Sequence, residues 1–394
     1  MTSTSSSPSA TEANRQGIAA LQANDPASAA RHFAAAIAID PHSGALQRNL
    51  ASAWRALGDD VRELAALDAA LAIDQRDLMA WLRKAERHEA RDEKGAALGA
   101  WNAAVSLGAQ LDPMPPPLAP LLAHGSTFIA NATGALFDTA TAALAPMQDT
   151  LSETERRRGD AFVAAALGRR RIYPNQCAGL QYPFLPADEF FDSHHFPWLA
   201  DIETQTDAIR AELVALLDDP GEALRPYVRM DAGTPASIWS PLDNKLDWGV
   251  CFLWEYGEPN QPVLDRCPAT AAALAAVPGV HIPGRAPSAF FSMLRPHTRI
   301  PPHTGVTNTR AIVHLPLIVP PGCGFRVGGE TRPWREGSAF VFDDTIEHEA
   351  WNDSDSLRAV LIFDVWNPHL SEKERELLCR YFAAADASGF AIPR

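Results

Sequence analysis

The first third of the chain repeats with a period of 34 residues, and this repeat constrains the fold more than any other feature. Apolar side chains recur in the sets Phe33/Leu67/Trp101, Ile37/Leu71/Val105 and Ile39/Ile73/Leu107. The step of four residues from the first set to the second follows one helix face, and such a period is typical of tetratricopeptide helix pairs. A single pair cannot bury its apolar face alone, so neighbouring pairs stack. We therefore predict about three all-α repeats over residues 12–110, after a disordered leader over residues 1–11.

The repeats are compatible with two roles. They can form a concave surface that binds a peptide or a partner protein. They can equally serve as a scaffold or dimerisation arm that packs on the next domain. No basic or aromatic stripe along the repeats favours one role over the other.

Composition excludes several classes of protein. The formal net charge of −14 argues against nucleic acid as the main partner, because phosphate binding requires a basic surface. The five cysteines are scattered and form no CxxC pair, which is typical of free thiols in a reducing compartment. The N-terminal residues lack the basic and apolar segments of a secretory signal, and no apolar run is long enough to span a bilayer. These features predict a cytoplasmic protein.

A proline-rich break follows the repeats. Residues 111–120 read LDPMPPPLAP, a composition that marks domain boundaries. From residue 121 to about residue 170 the chain is Ala-rich and helical again. We assign residues 111–172 to a linker with helices and residues 173–394 to a second domain.

The second domain is predicted to consist mostly of strands. One amphipathic helix is predicted over Leu199–Leu217. Short alternating runs bounded by Gly and Pro turns then occupy residues 248–257, 288–296, 310–319, 324–329, 338–344 and 357–366. Short strands at this spacing indicate a β-sandwich or barrel of jelly-roll type.

Two histidines in this domain are candidate metal ligands. His303 and His348 are 45 residues apart, which suits ligands from two strands of one barrel. A non-haem iron site usually adds a carboxylate. The usual place for it, two residues after the first histidine, holds Gly305, which has no side chain to ligate. Either water completes the site or another carboxylate does, the candidates being Asp343, Asp344 and Glu347. Two isolated histidines are also common as surface or core residues.

A buried anion partner is predicted nearby. Arg358 opens an apolar strand, where an arginine is costly unless it is paired, and its guanidinium can grip a carboxylate with two hydrogen bonds. Ser292 lies inside another apolar run and can donate to the same carboxylate. Arg310 and His314 share a strand face with Ile312. They either point into the barrel or are a solvated strand start and a core histidine.

From about Trp248 to His369 the chain resembles the aspartyl/asparaginyl β-hydroxylase family of Fe(II)- and 2-oxoglutarate-dependent oxygenases. The resemblance is carried by SMLRPHTRIPPHTGVTNTRAIVHL, FDDTIEHEAWN and LRAVLIFDVWNPHL, and it is weaker over residues 180–217. Bacterial relatives also carry tetratricopeptide repeats ahead of the barrel. The resemblance implies a multidomain protein, with the repeats followed by a double-stranded β-helix (jelly-roll, cupin-like) barrel and flanking helices.

The resemblance also implies roles for the matching residues. His303 and His348 match the two iron-binding histidines of a family that characteristically lacks the carboxylate ligand, so Gly305 fits the pattern. The residues that match the 2-oxoglutarate pocket are Arg358 and Ser292 at its distal carboxylate, His314 near its other carboxylate, and the pocket tryptophan Trp248.

The substrate half of the site departs from the family pattern. Arg310 matches one of two arginines that contact the substrate carboxylate in the animal enzymes, and the second of those positions is Ile312 here. Family members with other substrates, including lipid hydroxylases, also exist.

The first prediction for function is a dioxygenase that uses Fe(II), 2-oxoglutarate and O2 to hydroxylate an unactivated C–H bond. The candidate substrates are the β-carbon of an aspartyl or asparaginyl residue and related peptides or small molecules. One alternative is a non-catalytic, cupin-like module that binds a metal or ligand while the repeats dock a partner protein. Another is a halogenase-like reaction, because Gly305 leaves room for a halide on iron.

Overall fold

A computed structural model of the chain describes residues 9–389. It divides into two compact units, Met1–Ser152 and Glu153–Arg394, called here the repeat unit and the sheet unit. Residues 1–8 of the predicted leader lie outside the described residues, and the first helix begins at Ala10. Within residues 9–389, no helix combines the length and hydropathy needed to cross a bilayer.

The repeat unit consists of paired helices whose boundaries recur every 34 residues. The helices are α1 (Ala10–Gln22), α2 (Pro26–Ile39), α3 (Gly44–Ala56), α4 (Asp60–Ile73), α5 (Leu78–Ala90), α6 (Lys94–Gly108) and α7 (Ala119–Leu144), followed by a 3-10 turn at Ala145–Thr150. The predicted helical repeats are therefore confirmed as three pairs, and α7 packs on the last pair.

The same 34-residue period appears in the residues that cap the helices and form the turns between them. Ser9, Ser43 and Asp77 each accept a hydrogen bond from a backbone N–H in the first turn of α1, α3 and α5. Such side-chain caps satisfy donors that a helix start leaves free. The turns between paired helices place Asn24, Gly58 and Asp92 at positive φ, a conformation that these residue types tolerate best.

The core of the repeats follows the first of the three predicted sets. Phe33, Leu67 and Trp101 are each fully buried between helices. The third set lies at helix ends, where Ile39 and Ile73 are exposed. The spacing therefore identifies the buried position correctly, but the third apolar position is part of the surface.

The sheet unit begins with a helix and places several more around two sheets. The helices are α8 (Glu153–Ala166), α9 (Leu199–Glu203), α10 (Thr206–Asp218), α11 (Gln261–Leu264), α12 (Pro268–Ala275) and α13 (Glu372–Ala387). The prediction of one continuous helix over Leu199–Leu217 is wrong. The hydroxyls of Thr204 and Thr206 donate to the carbonyls three residues earlier, at 2.6 Å each. Such local bonds compete with regular helix bonds and separate α9 from α10.

All strand pairs in the two sheets are antiparallel. The strands are β1 (Arg225–Pro226), β2 (Trp248–Glu255), β3 (Glu258–Pro259), β4 (Ala289–Leu294), β5 (Thr298–His303), β6 (Arg310–Ile318), β7 (Cys323–Val327), β8 (Glu330–Arg332), β9 (Phe340–Phe342), β10 (His348–Asn352) and β11 (Arg358–Trp366). The larger sheet has the order β1-β2-β4-β11-β6-β9, with β3 paired to β2, and the smaller has the order β5-β10-β7-β8. The predicted β domain is confirmed as two antiparallel sheets in a cupin-like sandwich, and all six predicted runs form strands.

Strand alternation separates two environments on the larger sheet. One face, with Val313 on β6 and Leu361 on β11, packs on a core shared with α9, α10 and α12. The other face contributes Trp248 and Leu294 to a second core, which also contains Phe325 of the smaller sheet. The polar residues predicted for the site occupy this second, inner face, between the sheets.

Candidate active site

His303 and His348 lie opposite each other at the edge of this inner space. They are register partners on β5 and β10, and their ring centroids are 4.1 Å apart. The pairing contains a β-bulge, in which Pro301 and Pro302 together face Glu349. Because proline has no N–H for a regular ladder, a bulge is a favourable place for this pair. The bulge therefore fits the PPH sequence that leads into the first histidine.

Backbone carbonyls orient both imidazoles in the same way. Nδ1 of His303 donates to the Pro301 carbonyl at 2.8 Å, and Nδ1 of His348 donates to the Ile346 carbonyl at 3.0 Å. With the proton on Nδ1, each Nε2 carries a free lone pair, as a metal-binding histidine requires. Burial also lowers the pKa of His303 and holds that of His348 well below its usual range, which favours the neutral form.

No third protein ligand joins this pair within residues 9–389. No group of three His, Cys, Asp or Glu side chains comes together there as metal ligands. A Cβ atom on Gly305 would overlap the carboxylate of Asp344, so this carboxylate occupies the place where a residue-305 side chain would begin. The Gly305 N–H donates to the Asp344 carbonyl at 2.6 Å. The donor set thus fits a metal held by two imidazoles, with the remaining positions open to small molecules.

Arg358 is a buried cation without a carboxylate partner among residues 9–389. Its side chain is 1% exposed, and its guanidinium lies 5.0 Å from the ring centroid of Trp334. Nη1 donates to Ser292 Oγ at 3.4 Å, and Nε has no hydrogen-bond partner. Burial lowers the pKa of Arg358 to about 10. An uncompensated buried charge is costly, and an anion bound at this place would remove that cost.

Two buried ring nitrogens that lack hydrogen-bond partners among the described residues also lie beside this arginine. His314 stacks on Trp334 with the rings inclined by 8°, and neither His314 Nδ1 nor Trp334 Nε1 has a hydrogen-bond partner in the part of the chain that the structure describes. Burial, with a further contribution from Arg358, holds the pKa of His314 well below its usual range, so the ring is neutral. The polar atoms without partners lie around Arg358, and we call the region that they border the pocket. Their chemistry suits an anion with several oxygen atoms, such as a dicarboxylate.

Trp248 connects the histidine pair to this pocket. Its Nε1 donates to Ser292 Oγ at 3.1 Å, and its ring lies 6.5 Å from that of His303. On the opposite side, Phe342 lies 5.2 Å from the His348 ring and 4.9 Å from the His314 ring. The structure thus brings together six of the seven residues that the sequence singled out, in one continuous site.

The seventh, Arg310, is held by a partner inside the chain. Its Nη1 donates to Asp364 Oδ2 at 2.6 Å and to the Arg285 carbonyl at 3.2 Å. Arg310, Ile312 and His314 alternate along β6 on the inner face, and His314 is the most deeply buried of the three. Arg310 therefore borders the outer part of the site.

A segment ahead of the sheets lines the metal-side wall. Residues 176–179 donate backbone hydrogen bonds to the carbonyls of Thr345, Gly305 and Val306. Asn175 Nδ2 donates to Asp343 Oδ2 at 2.7 Å, and the Tyr182 N–H donates to Asn308 Oδ1 at 2.7 Å. We call residues 175–182 the strap. It fixes the loop after His303 against the turn before His348.

Comparison with known proteins places the sheets in a family. Residues 203–368 match the sequence model of the aspartyl/asparaginyl beta-hydroxylase family. This part of the chain is similar to the aspartyl/asparaginyl beta-hydroxylases, and we call residues 203–368 the hydroxylase domain. The hydroxylase domain contains every residue of the site described above except the strap.

Individual relatives agree with the assignment of the hydroxylase domain. The chain is 35% identical over 190 residues to the aspartyl/asparaginyl beta-hydroxylase of Mus musculus, a match covering 46% of this chain and 25% of that protein. It is 35% identical over 192 residues to the ornithine lipid ester-linked acyl 2-hydroxylase of Rhizobium tropici, covering 48% of this chain and 64% of that protein. The chain thus spans about a quarter of the length of the mouse relative.

The repeats have similar solved structures. The TPR2B domain of yeast Sti1, in a complex with pHsp70, matches 30% of this chain and 96% of that chain, with 23% identity and a TM-score of 0.28.

Several site residues had no signal in the sequence pattern. Trp334 lies between two predicted strands, in a segment without alternation, and Trp239 lies in a turn with its ring 5.0 Å from that of His303. The strap reads as an ordinary loop. Asp344 was predicted only as a possible ligand, and its position beside Gly305 depends on a turn 39 residues further along the chain.

Proposed function

We propose that the sheet unit is a hydroxylase that depends on Fe(II) and 2-oxoglutarate. The observation that carries the proposal is the buried Arg358, whose Nε has no partner and which pairs with no carboxylate of the described residues, in the same inner space as two oriented imidazoles. The names of the relatives support hydroxylation, and the mixed substrates among them leave the substrate as a separate question.

The residues divide into two sets. His303 and His348 would hold the iron through Nε2. Arg358 and Ser292 would bind the distal carboxylate of 2-oxoglutarate, while the neutral His314 and Trp334 would offer their free ring nitrogens to the cosubstrate. When bound, iron and 2-oxoglutarate supply the activation of O2, with loss of CO2, formation of succinate and transfer of one oxygen atom to a C–H bond of the substrate.

The chain's own contribution is binding, orientation and exclusion of water. The Pro301 and Ile346 carbonyls hold the imidazoles in the required tautomer. The aromatic rings of Trp248 and Phe342 belong to the apolar cluster between the sheets and would exclude water from that space. Asp344 places its carboxyl group against Gly305, two residues after His303, and so fills the place of a side chain at that position.

The repeat unit is proposed to bind a peptide or partner protein. Its stacked helix pairs provide an extended surface, which is how such repeats commonly interact. The substrate would reach the sheet unit beside Arg310 and Ile312.

The test is formation of succinate by the purified chain with Fe(II), 2-oxoglutarate and O2. Production of succinate that requires all three, and that His303→Ala and Arg358→Met each abolish, supports the proposal. A chain that binds metal and 2-oxoglutarate but produces no succinate with any substrate would instead favour the non-catalytic binding module.

A further inference from the structure

The residues on either side of His348 are both bound by one arginine. Arg326 on β7 is the register partner of Glu349, and it donates through Nε to the Glu349 carboxylate and through Nη2 to Glu347 Oε1 at 3.0 Å. Its third nitrogen, Nη1, donates to the Gly328 carbonyl at 2.7 Å. All three nitrogens of the guanidinium thus have an acceptor, and two of the acceptors are the carboxylates that flank His348 in the sequence.

Arg326 acts from the side of β10 that faces away from the His348 ring. Successive side chains of a strand alternate between its faces, and His348 is buried whereas Glu349 is partly exposed. Glu347, a possible metal ligand by its place in the sequence, has its carboxylate bound to Arg326 instead. Its carbonyl also accepts from the Gly328 N–H at 2.8 Å. These contacts therefore fix the backbone on both sides of His348 without occupying the inner space.

The two histidines reach similar geometries by different means. His303 follows Pro301 and Pro302, whose rings fix the backbone angle φ of both residues before it. His348 lies between two glutamates, whose backbone angles are free to vary in an isolated chain. The hydrogen bonds of Arg326 supply the restriction that the prolines supply for His303.

The turn that accepts from Arg326 is itself held by an earlier segment of the chain. Glu189 Oε1 accepts from the Gly329 N–H at 2.9 Å, and Arg170 Nη1 donates to the Gly329 carbonyl at 3.2 Å. Gly328 has a φ of +54°, and a Cβ atom there would overlap the Glu189 side chain. Arg326 therefore binds the flanks of the histidine from a turn whose own position is fixed.

We propose that Arg326 is a positioning residue for the metal and acts through His348. The inference rests on the proposed function, in which His348 Nε2 binds the metal. Groups that orient a metal-binding histidine typically contribute roughly 10- to 100-fold to metal affinity. Arginine suits this role because its planar fork binds several acceptors at fixed angles, which the point charge of a lysine does not.

The experiment measures the affinity of the full chain for Mn(II) by electron paramagnetic resonance of the free ion. Arg326→Met should lower this affinity roughly 10- to 100-fold. The direction of the change is informative, because loss of a positive charge near the site would by itself strengthen the binding of a cation. The matched control is Arg332→Met, which removes an arginine paired with Glu330 on the neighbouring strand β8 and should bind Mn(II) as the wild type does.

A double-mutant cycle tests whether Arg326 acts through His348. In the His348→Ala background, Arg326→Met should cause little further loss of Mn(II) affinity, because the side chain that it positions is absent. In the His303→Ala background, Arg326→Met should still lower the affinity roughly tenfold or more. A general weakening of the fold would instead lower the affinity equally in both backgrounds.

If Arg326→Met does not fold, Arg326→Lys keeps the charge and should still lower the affinity roughly tenfold, because an ammonium group does not hold both carboxylates at fixed angles. Wild-type Mn(II) affinity in the position-326 variant, or equal losses in the two histidine backgrounds, would overturn the inference alone. Failure of the proposed function is a different result, because the wild-type chain then binds no Mn(II), and the role of Arg326 fails with it.

Discussion

His303 and His348 face each other across two antiparallel strands, and each donates its Nδ1 proton to the carbonyl two residues before it. Both side chains therefore leave the same nitrogen, Nε2, free of a backbone partner, although they come from strands far apart in the sequence. This similarity would give both residues equal weight in the proposed metal binding.

The first prediction concerns the metal. His303→Ala and His348→Ala should each lower Mn(II) affinity by more than the roughly 10- to 100-fold that loss of a supporting residue costs, because each removes a direct ligand. Electron paramagnetic resonance of free Mn(II) measures this. His297→Ala, which changes an exposed histidine in the turn just before β5, is the control and should bind as the wild type does. Wild-type affinity in either ligand variant would contradict the assignment.

The second prediction separates binding from stability at Arg358. Arg358→Met should weaken 2-oxoglutarate binding in the presence of Mn(II) by about 2–5 kcal/mol, because the anion loses its counter-charge. The same change should leave the free energy of unfolding of the ligand-free chain unchanged or raise it, because an unpaired buried cation disappears. Calorimetry and urea unfolding measure the two quantities.

The control for this pair of measurements is Arg299→Met, which removes an exposed strand arginine paired with Asp353. It should keep the affinity for 2-oxoglutarate. A large loss of stability in Arg358→Met without loss of affinity would show that Arg358 has a purely structural role.

The third prediction concerns pH. Burial, with repulsion from Asp343, raises the pKa of Asp344 from 3.8 to about 7. The folded chain then holds this proton more tightly than the unfolded chain, so the free energy of unfolding falls as the pH rises from about 4 to about 7. One such group contributes a slope of up to about 1.4 kcal/mol per pH unit. Asp344→Asn should remove this contribution.

The measurement is urea unfolding of metal-free protein at several values of pH. The stability of Asp344→Asn relative to the wild type should rise between pH 4 and pH 7, roughly the window of the shifted pKa. Asp207→Asn, at a carboxylate with a 95% exposed side chain whose partner Arg210 stays charged across this range, is the control and should show a nearly constant difference. A constant difference for Asp344→Asn would refute the shift.

The fourth prediction tests the fit between Gly305 and Asp344. Gly305→Ala should cost about 1–3 kcal/mol of unfolding free energy, because the new methyl group overlaps the Asp344 carboxylate. Asp344→Gly should recover part of that cost in the double variant, which a double-mutant cycle detects. Gly159→Ala in α8, where a Cβ meets nothing within 4 Å, should instead be neutral or stabilising. Additive costs at positions 305 and 344 would disprove the overlap.

The fifth prediction concerns the repeats. Trp101→Ala should lower the free energy of unfolding by about 3–5 kcal/mol, because this ring is fully buried between α6 and α7. The rate of backbone amide hydrogen exchange should rise most in α5, α6 and α7, since each repeat is stabilised by its neighbours. Ile73→Ala, at a partly exposed position of the same period, should change both quantities little.

Much of the fold could be predicted because two kinds of pattern are local. The 34-residue period fixes the repeats, and apolar alternation fixes the strands that are buried on both faces, such as β6 and β11. The strands that bear the two histidines, β5 and β10, were not predicted. Pro301 and Pro302 interrupt the strand pattern of β5, and the polar sequence HEAWN gives β10 no apolar alternation. Both strands form because they pair with each other, which a local pattern does not predict.

The sequence predicted the parts of the site in which a polar residue stands inside an apolar run. Arg358 and Ser292 stood out because they interrupt apolar runs. The ion pair of Arg310 with Asp364 was not predictable, because it joins residues 54 apart through the register of β6 with β11. Partners of this kind depend on tertiary pairing that no local pattern encodes.

The strap determines where a fragment that contains the intact site can begin. The similarity to the hydroxylase family begins at residue 203, yet residues 175–182 supply hydrogen bonds to Asp343, Asn308 and the Gly305 carbonyl. A fragment beginning at residue 203 would leave these groups in the wall of the site without partners. The smallest piece that can work alone is therefore set by hydrogen bonds and not by family resemblance, and it starts upstream of Asn175.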